Sequence, residues 1–334
     1  MAYRAAIIGC GRIGSEYADD PRIRDIYTHA GAYTSCRDTT LVAVCDIDPE
    51  RARRCAKRWG VPSVYEDYRL MLSEVAPEIV SICTPDETHA AILRDVIAEP
   101  SVKGVLAEKP LAMDADDAAR LVGNARKRGV VLAVNYSRRY AENHRKVRDL
   151  LQGGTIGRIQ SMNGYYTGGC LHSGTHWFDL ARFFAGELTD VQGFDFLGEE
   201  GADPTLDTRI TFESGATGTL TGCDGSEFSI FEADIIGTSG RVRILDSGHR
   251  VEISVAGENP HYTGYRSLSV QETSDAGFGD LLLHAVEDLV RCLNEGGTPA
   301  CSGEDGVAAL RIASAVRRSA REGKPLPTRR EVHD

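Results

Sequence analysis

Three glycines at positions 9, 11 and 14, directly after the apolar run at residues 4–8, constrain this chain more than any other feature. In the order Gly9-Cys10-Gly11-Arg12-Ile13-Gly14 they form a G-x-G-x-x-G turn between a first strand and a first helix. Gly9 permits the tight turn, Gly11 lets backbone N–H groups approach a pyrophosphate, and Gly14 allows close helix–strand packing. Arg12 and Ile13 lie inside the same turn, where a helix N-terminus favours an anion. Such a motif is weak alone in a chain with 35 glycines. Its place after the first strand, and before a second strand that ends in Asp46, gives it weight as a dinucleotide site.

Asp46, followed by Ile47, falls where an adenosine ribose would lie. A carboxylate there accepts hydrogen bonds from the 2′- and 3′-hydroxyls and repels a 2′-phosphate, so NAD(H) is expected, with NADP(H) left open by Arg12, Arg51 and Arg53. A plain helix cap is the alternative role for Asp46. The stretch from Gly14 to Asp46 exceeds the roughly 20 residues of the bare fingerprint. Most of the excess is a charged segment at 15–28 that interrupts the first helix, read either as a loop over the substrate mouth or as an inert surface insertion.

Up to about residue 135, short apolar runs (5–8, 41–45, 79–83, 105–107, 130–134) alternate with amphipathic stretches (49–59, 88–98, 114–128). Strands this apolar, separated by helices, predict a parallel sheet covered on both faces. After a helix near 143–151 the texture changes to period-two alternation at 208–212, 216–223, 228–236, 241–245, 251–255 and 267–271, which predicts a mostly antiparallel sheet. A helical pattern at 174–185 follows the Gly168-Gly169 loop, and helices at 281–293 and 306–321 close the chain. The expected class is α/β: a Rossmann domain over 1–122, then an α/β domain over 123–334 with a large, open, mostly antiparallel sheet. A chain of 334 residues with 42% hydrophobic content supports two cores.

The net charge of −11 disfavours nucleic acid or an anionic membrane as partner, since both need clustered cations. No window reaches the roughly 18 apolar residues of a membrane span, so a cytoplasmic protein is expected. Nine scattered cysteines without a C-x-x-C pair read as small buried thiols, and no metal is expected.

Further motifs follow in order: Val80-Ser81-Ile82-Cys83-Thr84-Pro85 with His89 close behind, Glu108-Lys109-Pro110, Arg138-Arg139-Tyr140, and Gly174-x-His176-x-x-Asp179. With the glycine turn, this series resembles the glucose–fructose oxidoreductase and inositol dehydrogenase family (Gfo/Idh/MocA) over nearly the whole chain. The resemblance implies hydride transfer between nicotinamide and a secondary hydroxyl of a sugar, sugar derivative or cyclitol. It also implies a homodimer or homotetramer through the second domain's sheet. Carried over, Lys109 lies beside nicotinamide and the reacting hydroxyl, and His176 is the acid/base. Thr84, Pro85, His89 and Glu108 are counted with the cofactor contacts, and Arg139, Tyr166 and Asp179 with the substrate wall.

The chemistry fits those roles. Oxidising a secondary alcohol removes the hydroxyl proton as hydride leaves the same carbon, which calls for a group titrating near neutrality. An ammonium at Lys109 stabilises the developing alkoxide. One departure stands out. Family members commonly carry aspartate four residues before the histidine, whereas this chain has His172. His172 can share the acid/base role, accept an acidic substrate, or mark an altered or lost site. Two further readings therefore stand beside the dehydrogenase: a redox-neutral epimerase or eliminase with retained NAD, and a dinucleotide-binding regulator without chemistry.

Overall fold

The computed structural model describes residues 2–199 and 201–328. It divides into two compact units, Met1–Tyr140 with Gly279–Val307, and Ala141–Phe278 with Ala308–Asp334.

The first unit holds six strands, β1 (Tyr3–Ile8), β2 (Thr39–Cys45), β3 (Ser63–Tyr65), β4 (Ile79–Ile82), β5 (Gly104–Ala107) and β6 (Val131–Val134). They pair in the order β3-β2-β1-β4-β5-β6, parallel throughout. This is the doubly wound order whose ligands bind beyond the carboxyl ends of the strands, where the order reverses between β1 and β4. All four residues of β4 and of β5 are buried, as strands covered on both faces must be. The helices are α1 (His29–Ser35), α2 (Pro49–Trp59), α3 (Tyr68–Val75), α4 (His89–Ala98) and α5 (Ala115–Arg128). Local chemistry sets their ends. In α5, Asp114 caps the amides of Asp116 and Asp117, Arg126, Lys127 and Arg128 fill the last turn, and Gly129 exits in the left-handed region. The boundary expected at 122/123 falls inside this helix. The parallel sheet continues past it because β6 pairs with β5, and helix α8 (Leu281–Glu295) also belongs to this unit, packing on β5 and β6. Gly104 in β5 makes room there: a Cβ would press on Leu289 and Leu293 of α8.

The second unit carries α6 (Glu142–Gln152), β7 (Ile159–Tyr166), α7 (Thr175–Ala185), β8 (Leu188–Phe194), β9 (Asp207–Phe212), β10 (Thr217–Gly222), β11 (Phe231–Gly237), β12 (Gly240–Leu245), β13 (Arg250–Glu258), β14 (Arg266–Asp275) and β15 (Leu326–Pro327). Its nine-stranded sheet runs β14-β13-β12-β11-β7-β10-β9-β8-β15, antiparallel except where β10 meets β7. Burial alternates strictly along β11 and β12, the period-two pattern of a sheet with one covered face. Trp177 of α7 lies against that sheet, its indole N–H donating to the Glu232 carbonyl at 3.1 Å. Gly164 of β7 admits it, since a Cβ there would collide with the indole. Helix α9 (Gly303–Glu322) completes the elements.

Candidate functional site

In the first unit the glycine turn sits at the carboxyl end of β1. Gly9 adopts φ +97° and a Cβ on it would overlap the Cys83 carbonyl, while a Cβ on Gly14 would collide with the Gly9 carbonyl. A Cβ on Gly11 would meet nothing, so the turn is tight where the protein needs it tight and open at the glycine expected to face pyrophosphate. A first turn winds through Ser15 N–H to Gly11 C=O (2.8 Å) and Tyr17 N–H to Arg12 C=O (2.9 Å). The Ile13 and Gly14 carbonyls then accept from His29 and Ala30, both at 3.0 Å. In an unbroken helix those carbonyls would serve residues 17 and 18. The charged segment at 15–28 is therefore an excursion from a helix whose ladder resumes at α1. Arg12 lies exposed beside the Tyr17 ring.

Asp46 ties this turn to β2. One carboxylate oxygen accepts from Cys10 N–H at 2.8 Å, and the other from Asp48 N–H at 2.9 Å and the Arg51 guanidinium at 3.3 Å. Asp48, and not Asp46, caps α2. The charges of Asp46, Glu16 and Asp48 outweigh burial and raise the Arg51 pKa, with Asp46 the largest cause. Arg53 pairs with Glu50. Two of the three arginines that kept NADP open, Arg51 and Arg53, are thus engaged by carboxylates, while Arg12 lies exposed. The Ile47 side chain is almost fully exposed beyond Asp46.

At the end of β4, Thr84 accepts from the Thr88 hydroxyl at 2.7 Å, and Pro85 is exposed. His89, expected at the cofactor, is buried, with its ring nitrogens 2.6 Å from the Pro110 carbonyl and 2.7 Å from the Thr84 carbonyl. It holds the ends of β4 and β5 together, a backbone role and not a ligand's. Lys109 follows β5 and is 8% exposed. Glu108, also expected at the cofactor, turns inward: one carboxylate oxygen receives Asn135 Nδ2 at 2.6 Å and His29 Nε2 at 3.0 Å. Burial pushes the Glu108 carboxyl up, but His29, Asn135 and the Lys109 ammonium together hold it below the usual carboxylate range. Arg139, expected on the substrate wall, is buried and bound to Asp305 and to the Ala300 carbonyl, each at 3.0 Å. Its partners lie far along the chain, out of reach of local pattern. Burial pushes the neighbouring Arg138 down to about 10.

In the second unit, residues Gly169–Gly174 form a wide helical turn with the i→i+5 pattern, a form frequent at functional sites, and α7 continues from it. His172 is exposed in that turn and His176 half-buried one turn on, so a spacing of four puts both on one face. Asp179 is buried in the same helix. Asp203, which sequence reasoning missed, holds the turn: its carboxylate accepts the Leu171 and His172 amides at 2.7 and 2.9 Å. Tyr166, expected to face substrate, is fully buried, and its hydroxyl donates to the Leu206 carbonyl at 3.0 Å and accepts the Leu206 amide at 2.8 Å. Both functions of that hydroxyl are spent on backbone, and its strand neighbour Tyr165 is the exposed one.

A doubly wound parallel sheet with a glycine turn at its switch point, joined to a unit with a large open sheet, defines a two-domain, dinucleotide-dependent oxidoreductase. Residues 3–136 match the oxidoreductase family model described as an NAD-binding Rossmann fold, and residues 148–328 match the companion C-terminal alpha/beta domain. The chain belongs to the Gfo/Idh/MocA oxidoreductase family. It is 26% identical to myo-inositol 2-dehydrogenase of Thermotoga maritima, covering 97% of this chain and 98% of that one. It is 25% identical to scyllo-inositol 2-dehydrogenase (NAD(+)) of Bacillus subtilis, covering 97% and 95%. Among solved structures, levoglucosan dehydrogenase in complex with NADH and levoglucosan superposes with a TM-score of 0.85 at 20% identity, over 99% of this chain and 100% of that one. Among the described residues, no helix is long and apolar enough to cross a membrane.

Proposed function

We propose that this oxidoreductase transfers a hydride between NAD(H) and a secondary hydroxyl of a sugar, sugar derivative or cyclitol. The observation that carries this reading is the buried Lys109 at the carboxyl end of β5, in a sheet whose glycine turn and Asp46 suit an adenine dinucleotide. Bound NAD+ supplies the hydride acceptor. Lys109 stabilises the alkoxide that develops as the hydroxyl loses its proton, and its near-complete burial strengthens that interaction relative to water. His176 takes the proton, with His172 on the same helical face as a second group able to hold one. NAD(H) is preferred because Asp46, Asp48 and Glu16 surround Arg51 and leave acidic charge where a 2′-phosphate would sit. The inositol dehydrogenases and the levoglucosan dehydrogenase among the relatives support the polyhydroxylated substrate class.

The test is turnover across a panel of sugars, uronates and inositols with NAD+ and NADP+, read as absorbance of reduced nicotinamide. At least one polyol is expected to give sustained signal with NAD+. Lys109→Met is expected to lower kcat by 100-fold or more, on the order found when one transition-state donor is removed, while NAD+ binding persists. Undiminished turnover in that variant would sink Lys109 as a catalytic residue. A signal that never exceeds one equivalent of enzyme would instead mark the redox-neutral reaction.

A further inference from the structure

We propose that Asp203 is a positioning residue for the reaction: its carboxylate fixes the turn that bears His172 and leads into His176. The role in the reaction rests on the reading of those two histidines above; the hold on the turn does not.

The backbone amides of Gly169, Cys170, Leu171 and His172 open the wide turn, and all of them donate to one short segment just before β9. Gly169 N–H donates to Thr205 Oγ1 and Cys170 N–H to the Pro204 carbonyl, each at 3.1 Å. Leu171 N–H donates to Asp203 Oδ1 at 2.7 Å and His172 N–H to Asp203 Oδ2 at 2.9 Å. These are the amides that the start of a helix leaves without partners of its own. The segment that receives them is anchored in turn. The Tyr166 hydroxyl bridges the Leu206 amide and carbonyl, Glu199 Oε2 accepts the Thr205 amide at 2.7 Å, and the Arg317 guanidinium donates to the Ala202 carbonyl.

Asp203 differs from its neighbours in what it holds. Thr205 and Pro204 serve the start of the turn, whereas Asp203 serves the backbone that leads directly into His172. From the opposite side the fully buried Thr175 hydroxyl donates to the Leu171 carbonyl at 2.7 Å. The peptide unit joining Leu171 to His172 is therefore held at its C=O by Thr175 and at its N–H by Asp203. A peptide unit is planar, so fixing both polar ends fixes the plane from which the His172 Cα departs. Two successive amides need two acceptors, which a carboxylate offers and asparagine does not, because its NH2 group would face one of them. Gly169 leaves room for the carboxylate: it adopts φ +85°, and a Cβ there would stand 2.3 Å from Asp203 Oδ2. Such a hold bears on rate, since misplacing a reacting group by about 1 Å can cost on the order of 100-fold.

The experiment compares Asp203→Asn with Thr205→Val in the full-length protein; the second variant removes the neighbouring bond to Gly169 and leaves both Asp203 bonds in place. Amide hydrogen exchange, read by NMR without cofactor or substrate, is expected to quicken about tenfold or more at Leu171 or His172 in Asp203→Asn, and at Gly169 alone in Thr205→Val. Turnover is read with the neutral sugar or inositol of the panel that gives the highest rate with NAD+. Both variants are expected to melt below the parent. Asp203→Asn is expected to lose kcat by about 10- to 100-fold with the KM for NAD+ unchanged, and Thr205→Val to keep the parent's kcat. A merely structural role would lower the melting temperature in both variants and kcat in neither. Gly169→Ala, which drives a methyl group into the same carboxylate, is expected to repeat the loss of kcat. Exchange at Leu171 and His172 unchanged in Asp203→Asn, or a kcat no lower than that of Thr205→Val, overturns the proposal. If Asp203→Asn fails to fold, as judged by circular dichroism, Gly169→Ala decides by the same two measurements. Undiminished turnover in both His172→Ala and His176→Ala, or a panel with no turnover at all, would strike the reading of the histidines and the role in the reaction with it. The exchange result would still judge the hold on the turn by itself.

Discussion

Asp46 serves two partners that a single substitution separates. Its carboxylate receives the Cys10 and Asp48 amides, and it keeps a negative charge at the end of β2. Asp46→Asn preserves an acceptor for the turn and removes the charge. Lost charge-assisted bonds to ribose hydroxyls should weaken NAD+ binding by about 10-fold or more, at about 1.5–3 kcal/mol for each such bond. The weakened repulsion should cut the preference for NAD+ over NADP+ by about tenfold or more. Calorimetric titration with both cofactors measures each effect, and an unchanged preference would free Asp46 from any part in cofactor choice. The turn glycines and Asp46 were legible because they stand at fixed places in a strand–turn–helix–strand unit whose spacing the sequence itself displays. His29, Asn135 and Asp203 were not, because each acts on a group brought near only by tertiary structure. The same gap explains Arg139 and Tyr166: sequence shows a polar side chain, but not the Asp305 or the Leu206 backbone that uses it up.

At the level of elements, the excursion at 15–28 is the clearest case of a feature half visible in sequence. Its extra length was plain, but its return to the same helix was not, because that depends on the Ile13 and Gly14 carbonyls passing to His29 and Ala30. The ladder specifies a shortened variant. Replacing residues 15–28 by Ser-Glu would make His29 and Ala30 the fourth residues after Ile13 and Gly14, the spacing of a continuous helix. Keeping Ser and Glu preserves side chains that reach Trp59 and Arg54. This variant should fold, show normal circular dichroism and bind NAD+ within a few-fold of the parent. What it forfeits are exposed ion pairs such as Arg58 with Asp19, worth about 0–1 kcal/mol each, together with the Thr28 cap on α1, worth about 1 kcal/mol, and the Ile26 amide bond to Asp280. Loss of the folded state would show that the excursion is part of the core and not an insertion into a helix.

Across the whole molecule, the change from buried apolar runs to period-two alternation was enough to separate a parallel from an antiparallel sheet. It did not show that α8, far along the chain, packs on the first sheet. Stability against pH follows from buried groups of the first unit. Glu108 is depressed below its ordinary value of 4.5 in the fold, burial being outweighed by His29, Asn135 and Lys109. Its contribution is complete above that value and is lost as pH falls through the lower folded value, because the unfolded chain takes up the proton first. The buried acids act in the opposite sense. Burial raises Cys45 from 9.0 to about 12 and, despite its bond to Ser81, Tyr33 well above 10.0. Their contribution is complete below the unfolded values and is lost as pH rises through the folded ones. Thermal unfolding should therefore give a plateau between about pH 5 and 8, an acid limb below it and an alkaline limb beginning near the ordinary thiol range. Glu108→Gln sharpens the test, since an amide cannot titrate. Its melting temperature should lie below the parent's on the plateau and converge with it as pH falls through the lowered folded value of Glu108, where the parent's carboxylate is itself protonated. A constant gap between the two proteins across that acid range would mean that the Glu108 charge contributes nothing to the fold, and that the polar cluster around it is held by shape alone.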